Sequence, residues 1–281
     1  MTAVASEANV EAWSGKGKAD ENFPVGSVLV SRRLRPHVHA FYAFARNADD
    51  IADSPQLEAA DKLARLDVMD AVLTGRRQAG SPSATGLRAS LAVTGVTDRH
   101  ARDLLDAFRR DATKRRYANW DELLDYCRLS AMPVGRHVLD LHGEGRNTWA
   151  ASDALCAALQ VINHLQDCRR DLEQLDRSYL PQDLLEDAGA DVHDVLLPRE
   201  TPGLRRVFDI MLGRTEGLNR TGDGLPRLVR DRRLRIETGV ICGLSRRLTA
   251  RLAVNDPVAG RVKLTRGDAV SSVLAALRFL P

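Results

Sequence analysis

The chain has 281 residues, of which 44% are hydrophobic and 28% charged, and its formal net charge is +3. That balance suits a globular protein with a sizeable core. It argues against a nucleic-acid binder, because the arginines are matched by acids and no basic tract is interleaved with aromatic residues. It also argues against a membrane span, because no uninterrupted apolar run approaches the roughly 18 to 20 residues needed.

In chain order, residues 1–20 are small and polar and read as a disordered leader. The stretch 21–35 carries Pro24 and Gly26 and reads as a turn or short helix. Pro36 is placed to open a helix over 36–53, which must stop at Ser54 because Pro55 follows. Further helices are predicted over 57–73, 85–93, 98–114 with Asp98 as cap, and 119–143 with Asn119 as cap. Pro133 should break the last of these. A long helix capped by Ser152 or Asp153 follows, then helices over 181–188, 201–220, 226–252 and 266–279, with connectors at 189–202 and 255–263. No alternating strand pattern or hairpin signal occurs. The predicted fold is all-α, a single helical-bundle domain over 21–281.

None of Cys127, Cys156, Cys168 and Cys242 forms a CxxC or zinc-spaced cluster, and no signal peptide opens the chain. Reduced thiols and a cytoplasmic location are expected. The basic run 227–235 reads as a solvated helix face, with contact to anionic headgroups or diphosphate as the sharper alternative.

Two stripes of oxygen-bearing side chains stand out. On the long helix, Gln160, Asn163, Asp167 and Asp171 follow offsets of 3, 7 and 11; on the helix from Pro36, Tyr42, Arg46, Asp49 and Asp53 follow 4, 7 and 11. At about 3.6 residues per turn each set shares one face. A solvated face is the plainer reading of one such ladder. Both helices, however, are apolar on most other sides, and a buried carboxylate needs a partner or a metal. An oxygen-only donor set suits Mg²⁺ shared with a substrate phosphate. Two facing ladders with two or three Mg²⁺ ions and nearby arginines would serve a diphosphate leaving group. An apolar cavity with Phe41, Tyr42, Phe44, Tyr126 or Tyr179 would then hold a carbocation; plain core packing is the alternative for each.

At these residues the chain resembles the squalene and phytoene synthases. Their DxxxD motif, with arginine three residues before it, stands here as Arg46, Asp49 and Asp53. Their second motif appears as Gln160, Asn163, Asp167 and Asp171, followed by Arg177-Ser178-Tyr179-Leu180-Pro181. Between them, Tyr126-Cys127 leads to Val134-Gly135 as in the family's central helix. The resemblance implies an isoprenoid-synthase bundle around a central apolar cavity. It implies Asp49, Asp53, Asn163, Asp167 and Asp171 as the Mg²⁺–diphosphate ligands and as catalytic, Arg46 and Arg177 as diphosphate contacts, and Tyr126 in the reaction chamber. Tyr42, Gln160 and Tyr179 are further substrate-side candidates.

The departures are informative. Gln166 stands where the family carries arginine, Asp176 replaces a customary glycine, and residues 21–25 read ENFPV. With SAMPVGRHVLDLHGE and NDPVAGRVKLTRGDA, they resemble the hydroxysqualene synthase branch of hopanoid biosynthesis. That branch ionises presqualene diphosphate and quenches the cation with water, as a carbon–oxygen lyase that needs no NADPH. Gln160 and Gln166 are candidates to orient that water. His164 reads as packed between helices, and Arg261 and Lys263 as loop residues able to reach the diphosphate. The rival reading is a transferase joining two prenyl diphosphates (a squalene, presqualene diphosphate or phytoene synthase); a scaffold without activity is a third. A greasy substrate further implies peripheral membrane contact, with the helix over 266–279 as one surface able to touch lipid, and hand-off from a presqualene diphosphate synthase.

Overall fold

The computed structural model describes residues 9–11 and 31–279. The leader expected over 1–20 and the stretch 21–25 lie outside those residues, except for Asn9, Val10 and Glu11. These three are held, which corrects the expectation of disorder for them. Val10 donates its N–H to the Gly80 carbonyl at 2.9 Å and accepts from Arg65 at 2.9 Å. The Glu11 carboxylate accepts from the Ser81 hydroxyl and from the Ser83 hydroxyl and N–H.

Regular structure among the described residues is helical, with one isolated β-bridge between Tyr117 and Pro181. The helices fall into two compact units divided between Thr113 and Lys114. The first holds α1 (Arg35–Asp53), α2 (Ala59–Leu73), α3 (Pro82–Thr94) and α4 (Arg99–Asp111). Its core is Phe44, Ile51, Leu66, Met69, Leu87, Leu104 and Leu105, all fully buried. Each such side chain contributes roughly 1.5–3 kcal/mol by leaving water. Helix α3 begins earlier than expected because Ser81 caps it, accepting from the Ala84 N–H at 3.2 Å. Asp98 makes no cap bond to α4; the Thr97 hydroxyl accepts from Arg99 instead at 3.2 Å.

The second unit holds α5 (Trp120–Ser130), α6 (Met132–Leu141), α7 (Trp149–Leu175), α8 (Gln182–Ala188), α9 (Pro202–Gly222), α10 (Leu225–Leu228), α11 (Arg232–Val254) and α12 (Arg266–Ala276). Asn119 caps α5 and Pro133 sits in the first turn of α6, as the sequence demands. Helix α7 is its central element, packing against α5, α6, α9 and α11. It starts at Trp149, ahead of the expected caps. Ser152 is buried inside it, and Asp153 pairs with Arg136.

The single helix expected over 226–252 is in fact two, α10 and α11. Val229 is extended at φ −72°, ψ 129°, and Asp231 caps α11. The break is stable because Glu144 accepts from the freed N–H groups of Arg230 and Asp231, at 2.9 and 2.7 Å. The basic run 227–235 therefore spans a helix break, not one solvated face.

A buried polar knot ties α9 to α11. Asn219 donates to the Thr249 hydroxyl at 3.0 Å and accepts from Ser245 at 2.6 Å. Removing one member strands the others without water, costing about 1–3 kcal/mol. Asn219→Ala is therefore expected to lower unfolding free energy by about that amount in urea titrations with unchanged helical circular dichroism.

Candidate active site

The first acidic ladder lies on α1. Its apolar residues Val38, Phe41, Phe44, Ala48 and Ile51 are buried, so the opposite stripe carries the polar groups. Arg46 ion-pairs with Asp49 at 3.1 Å and with Asp50 at 2.7 Å. The Asp50 carboxylate is almost fully enclosed and shares the guanidinium. Tyr42 and Asp53 are half-buried. The Asp49 carboxyl is pushed up to about 8 by burial first and then by Asp53, with Asp111 and Asp50 adding and Arg46 opposing. With 36% of that side chain still exposed, burial here means crowding by protein on one side. Asp111, buried at the end of α4, is a member that the sequence pattern did not single out.

The second ladder lies on α7. Asp167 and Asp171 are buried and Asn163 is half-buried. Both oxygens of Asp167 are engaged, Oδ1 by Arg261 at 2.8 Å and Oδ2 by Arg170 at 3.1 Å. Arg170 also reaches Asp171 at 3.8 Å. Arg261 comes from the 255–265 loop.

Gln166 explains that loop's position. Its amide donates to the Val262 carbonyl at 2.5 Å, and the side chain is buried. Gln166, a candidate from sequence to orient water or bind substrate, thus gives one N–H to the loop. That amide N–H is spent on the loop's backbone, because position 166 lies to the side of the Asn163–Asp167–Asp171 stripe. The Gln166 bond helps to hold Arg261 beside Asp167.

One to two turns nearer the N-terminus, α7 changes character. His164 stacks on Tyr179 with centroids 3.5 Å apart, and Tyr126 and Tyr117 each lie 5.4 Å from Tyr179. Tyr126 and Tyr179 approach through their hydroxyls at 3.5 Å, and Arg177 donates to the Tyr179 hydroxyl at 3.2 Å. Gln160 lies 3.2 Å from His164 Nε2. An amide nitrogen has no acceptor lone pair, so Gln160 donates and His164 accepts through Nε2, which requires the neutral ring. Burial, and then Arg177, lower its pKa to about 3. Gln160, Tyr126, Arg177 and Tyr179 are thus brought together, and Tyr117 joins them. The sequence hid Tyr117, which comes into place because Ser178 donates to the Arg115 carbonyl and Gln182 to the Tyr117 carbonyl, each at 2.9 Å. Asp176, standing where the family has glycine, adopts φ 48° and is held by Arg116 at 2.6 Å.

A family-wide sequence profile described as squalene/phytoene synthase matches residues 16–268. The chain belongs to the squalene/phytoene synthase family. It is accordingly an enzyme of prenyl diphosphate chemistry. It is 48% identical over 254 residues to a hydroxysqualene synthase of Rhodopseudomonas palustris, covering 90% of this chain and 87% of that one. A hydroxysqualene synthase of Zymomonas mobilis is 44% identical, covering 94% and 89%. Among solved structures, the squalene synthase HpnC from Alicyclobacillus acidocaldarius superposes with a TM-score of 0.72 at 35% identity, covering 83% of this chain and 88% of that one. The bundle is thus the isoprenoid-synthase fold that the motifs implied.

Among the described residues, no three His, Cys, Asp or Glu side chains converge closely enough to hold a metal unaided. The donors nevertheless fit Mg²⁺ chemically: they are all oxygens, and the crowding that raises Asp49 is one a cation would relieve.

Two outcomes follow for this family member. Because the folded-state pKa of Asp49 lies above the ordinary carboxylate value, its stabilising contribution is complete below about pH 4 and is lost as pH rises through about 8. In a series of metal-free thermal melts Asp49→Asn should flatten that decline; an unchanged slope removes Asp49 as its source. Gln166→Ala should raise hydrogen exchange in the 255–265 loop by about tenfold, the equivalent of about 1.4 kcal/mol. Unaltered exchange would mean the loop is held by other bonds.

Proposed function

We propose that this chain is a hydroxysqualene synthase, a carbon–oxygen lyase acting on presqualene diphosphate. The carrying observation is 44–48% identity, over 88–94% of the chain, to three proteins of that name. A phytoene synthase of Thermus thermophilus stands at 32% over 71% of the chain. The chemistry of α7 supports the assignment. The carbon–oxygen bond breaks with both electrons leaving on the diphosphate. The cyclopropylcarbinyl cation rearranges, water adds through oxygen, and the proton it sheds passes to the released diphosphate or solvent.

Bound Mg²⁺ would neutralise the leaving group, and Asp49, Asp53, Asn163, Asp167 and Asp171 are the residues that would hold it. Arg177 and Arg46 would add positive charge toward the diphosphate, with Arg261 released from Asp167 to join them. Tyr126 and neutral His164 would offer aromatic faces to a cation, which an imidazolium would repel, and Tyr179, stacked on both His164 and Tyr117, would support them. Capture by water needs no reductant, so no NADPH enters the scheme. No helix among the described residues is long and apolar enough to cross a membrane. Substrate and product are nonetheless too apolar to diffuse freely in water, so the proposal includes peripheral membrane contact and receipt of substrate from a presqualene diphosphate synthase.

The test is mass-spectrometric product identification with Mg²⁺ and without NADPH, from presqualene diphosphate and, separately, from farnesyl diphosphate. Hydroxysqualene from the first is expected. Consumption of farnesyl diphosphate with presqualene diphosphate ignored would make the chain a transferase instead. Asp167→Asn should slow turnover by about 100-fold or more with helical circular dichroism intact; near-normal turnover would remove Asp167 from the diphosphate site.

A further inference from the structure

Helix α12 is inverted in polarity. Its buried residues are Asp268, Ser272 and Ala276, all small or polar. They lie against α11 at close range: a Cβ on Gly243 would stand 3.0 Å from Ser272, and one on Gly239 would stand 2.8 Å from Phe279 and 3.3 Å from Ala276. The outward face is the greasy one. Val270, Val273, Leu274 and Leu277 are 44–62% exposed. At about 100° per residue they fall within an arc of about 100°, so they form one stripe.

Basic residues predominate around that stripe; the Asp223 carboxylate, which feels the Arg278 charge, is itself paired with Arg246 at 2.7 Å. Arg266 sits four residues before Val270 on the same face, and Lys263 and Arg278 flank the two ends, all three exposed. The one acid of α12, Asp268, is turned inward and neutralised by Arg251 at 2.6 Å, with Arg247 at 3.8 Å. A second copy brought face to face would set cations against cations. An anionic lipid surface instead offers opposite charge to the ends and hydrocarbon to the middle.

We propose that the Val270–Val273–Leu274–Leu277 stripe, with Lys263, Arg266 and Arg278, is a docking face for an anionic bilayer surface. It gives a location to the membrane contact included in the function proposed above, and rests on that reading for its purpose only. The face is monotopic: the helix lies in the headgroup layer with its stripe in the acyl boundary. Because the 255–265 loop that places Arg261 and Val262 on α7 leads directly into α12, the docked helix would anchor the same segment that helps build the acidic end of the site.

The experiment is co-sedimentation of the full chain with vesicles of phosphatidylcholine alone and of phosphatidylcholine with phosphatidylglycerol. Binding to the anionic vesicles is expected, weakened by salt and at least tenfold weaker to the neutral ones. Val273→Ser with Leu274→Ser, and separately Arg266→Glu with Arg278→Glu, should each weaken binding at least tenfold while circular dichroism and turnover of detergent-dispersed substrate stay unchanged. Binding unaffected by both pairs, or no binding by the unaltered chain, overturns the proposal. So does a dimer in light scattering that the Val273/Leu274 pair converts to monomer, since the stripe would then belong to a second copy. If the unaltered chain binds vesicles but makes no hydroxysqualene in detergent, the assigned reaction fails and the docking face stands.

Discussion

The site in the second unit depends on how one buried carboxylate is paired. Asp167 stands inside the packed surface of α7, where an isolated carboxylate would be strongly unfavourable. Two guanidiniums answer it, Arg170 from the next turn and Arg261 from a loop nearly a hundred residues later. Loss of either would leave charge behind in a poorly hydrated place. The 255–265 loop is therefore part of the site, and Gln166 is one of its fixings.

Along α7 the acidic stripe gives way within two turns to an aromatic cluster with the Arg177 guanidinium at the Tyr179 hydroxyl. This gradient is what a diphosphate ionisation calls for. The leaving group needs cations and metal-binding oxygens, whereas the carbocation needs π faces. His164 is held neutral by its burial and then by the Arg177 guanidinium. A single helix serves both ends because 27 residues of α7 run unbroken between Trp149 and Leu175.

Close backbone packing recurs where polar groups are buried. Asn219, Ser245 and Thr249 satisfy one another between α9 and α11. Small residues on the inner face of α12 let it settle on Gly239 and Gly243 of α11. The consequence for α12 is that its larger apolar side chains point outward, which gives the helix a surface role in addition to its packing role.

The sequence by itself determined the helical class, most helix positions, the breaks at Ser54-Pro55 and Pro133, and the two oxygen ladders, because these follow from local spacing, proline geometry and capping. It also carried the family motifs, which drew Tyr126, Arg177 and Tyr179 into one list before any contact was known. Tertiary structure decided what depends on partners far away in the chain. Glu144 makes the break between α10 and α11 stable by taking the N–H groups of Arg230 and Asp231. Tyr117 joins the aromatic cluster through backbone bonds to the 178–182 segment. Gln166, which stands where the family carries arginine, holds the loop that brings Arg261 to Asp167. Local pattern fixes which face a residue occupies; only the packed chain fixes what stands opposite it, and for a buried amide or carboxylate that partner decides its role.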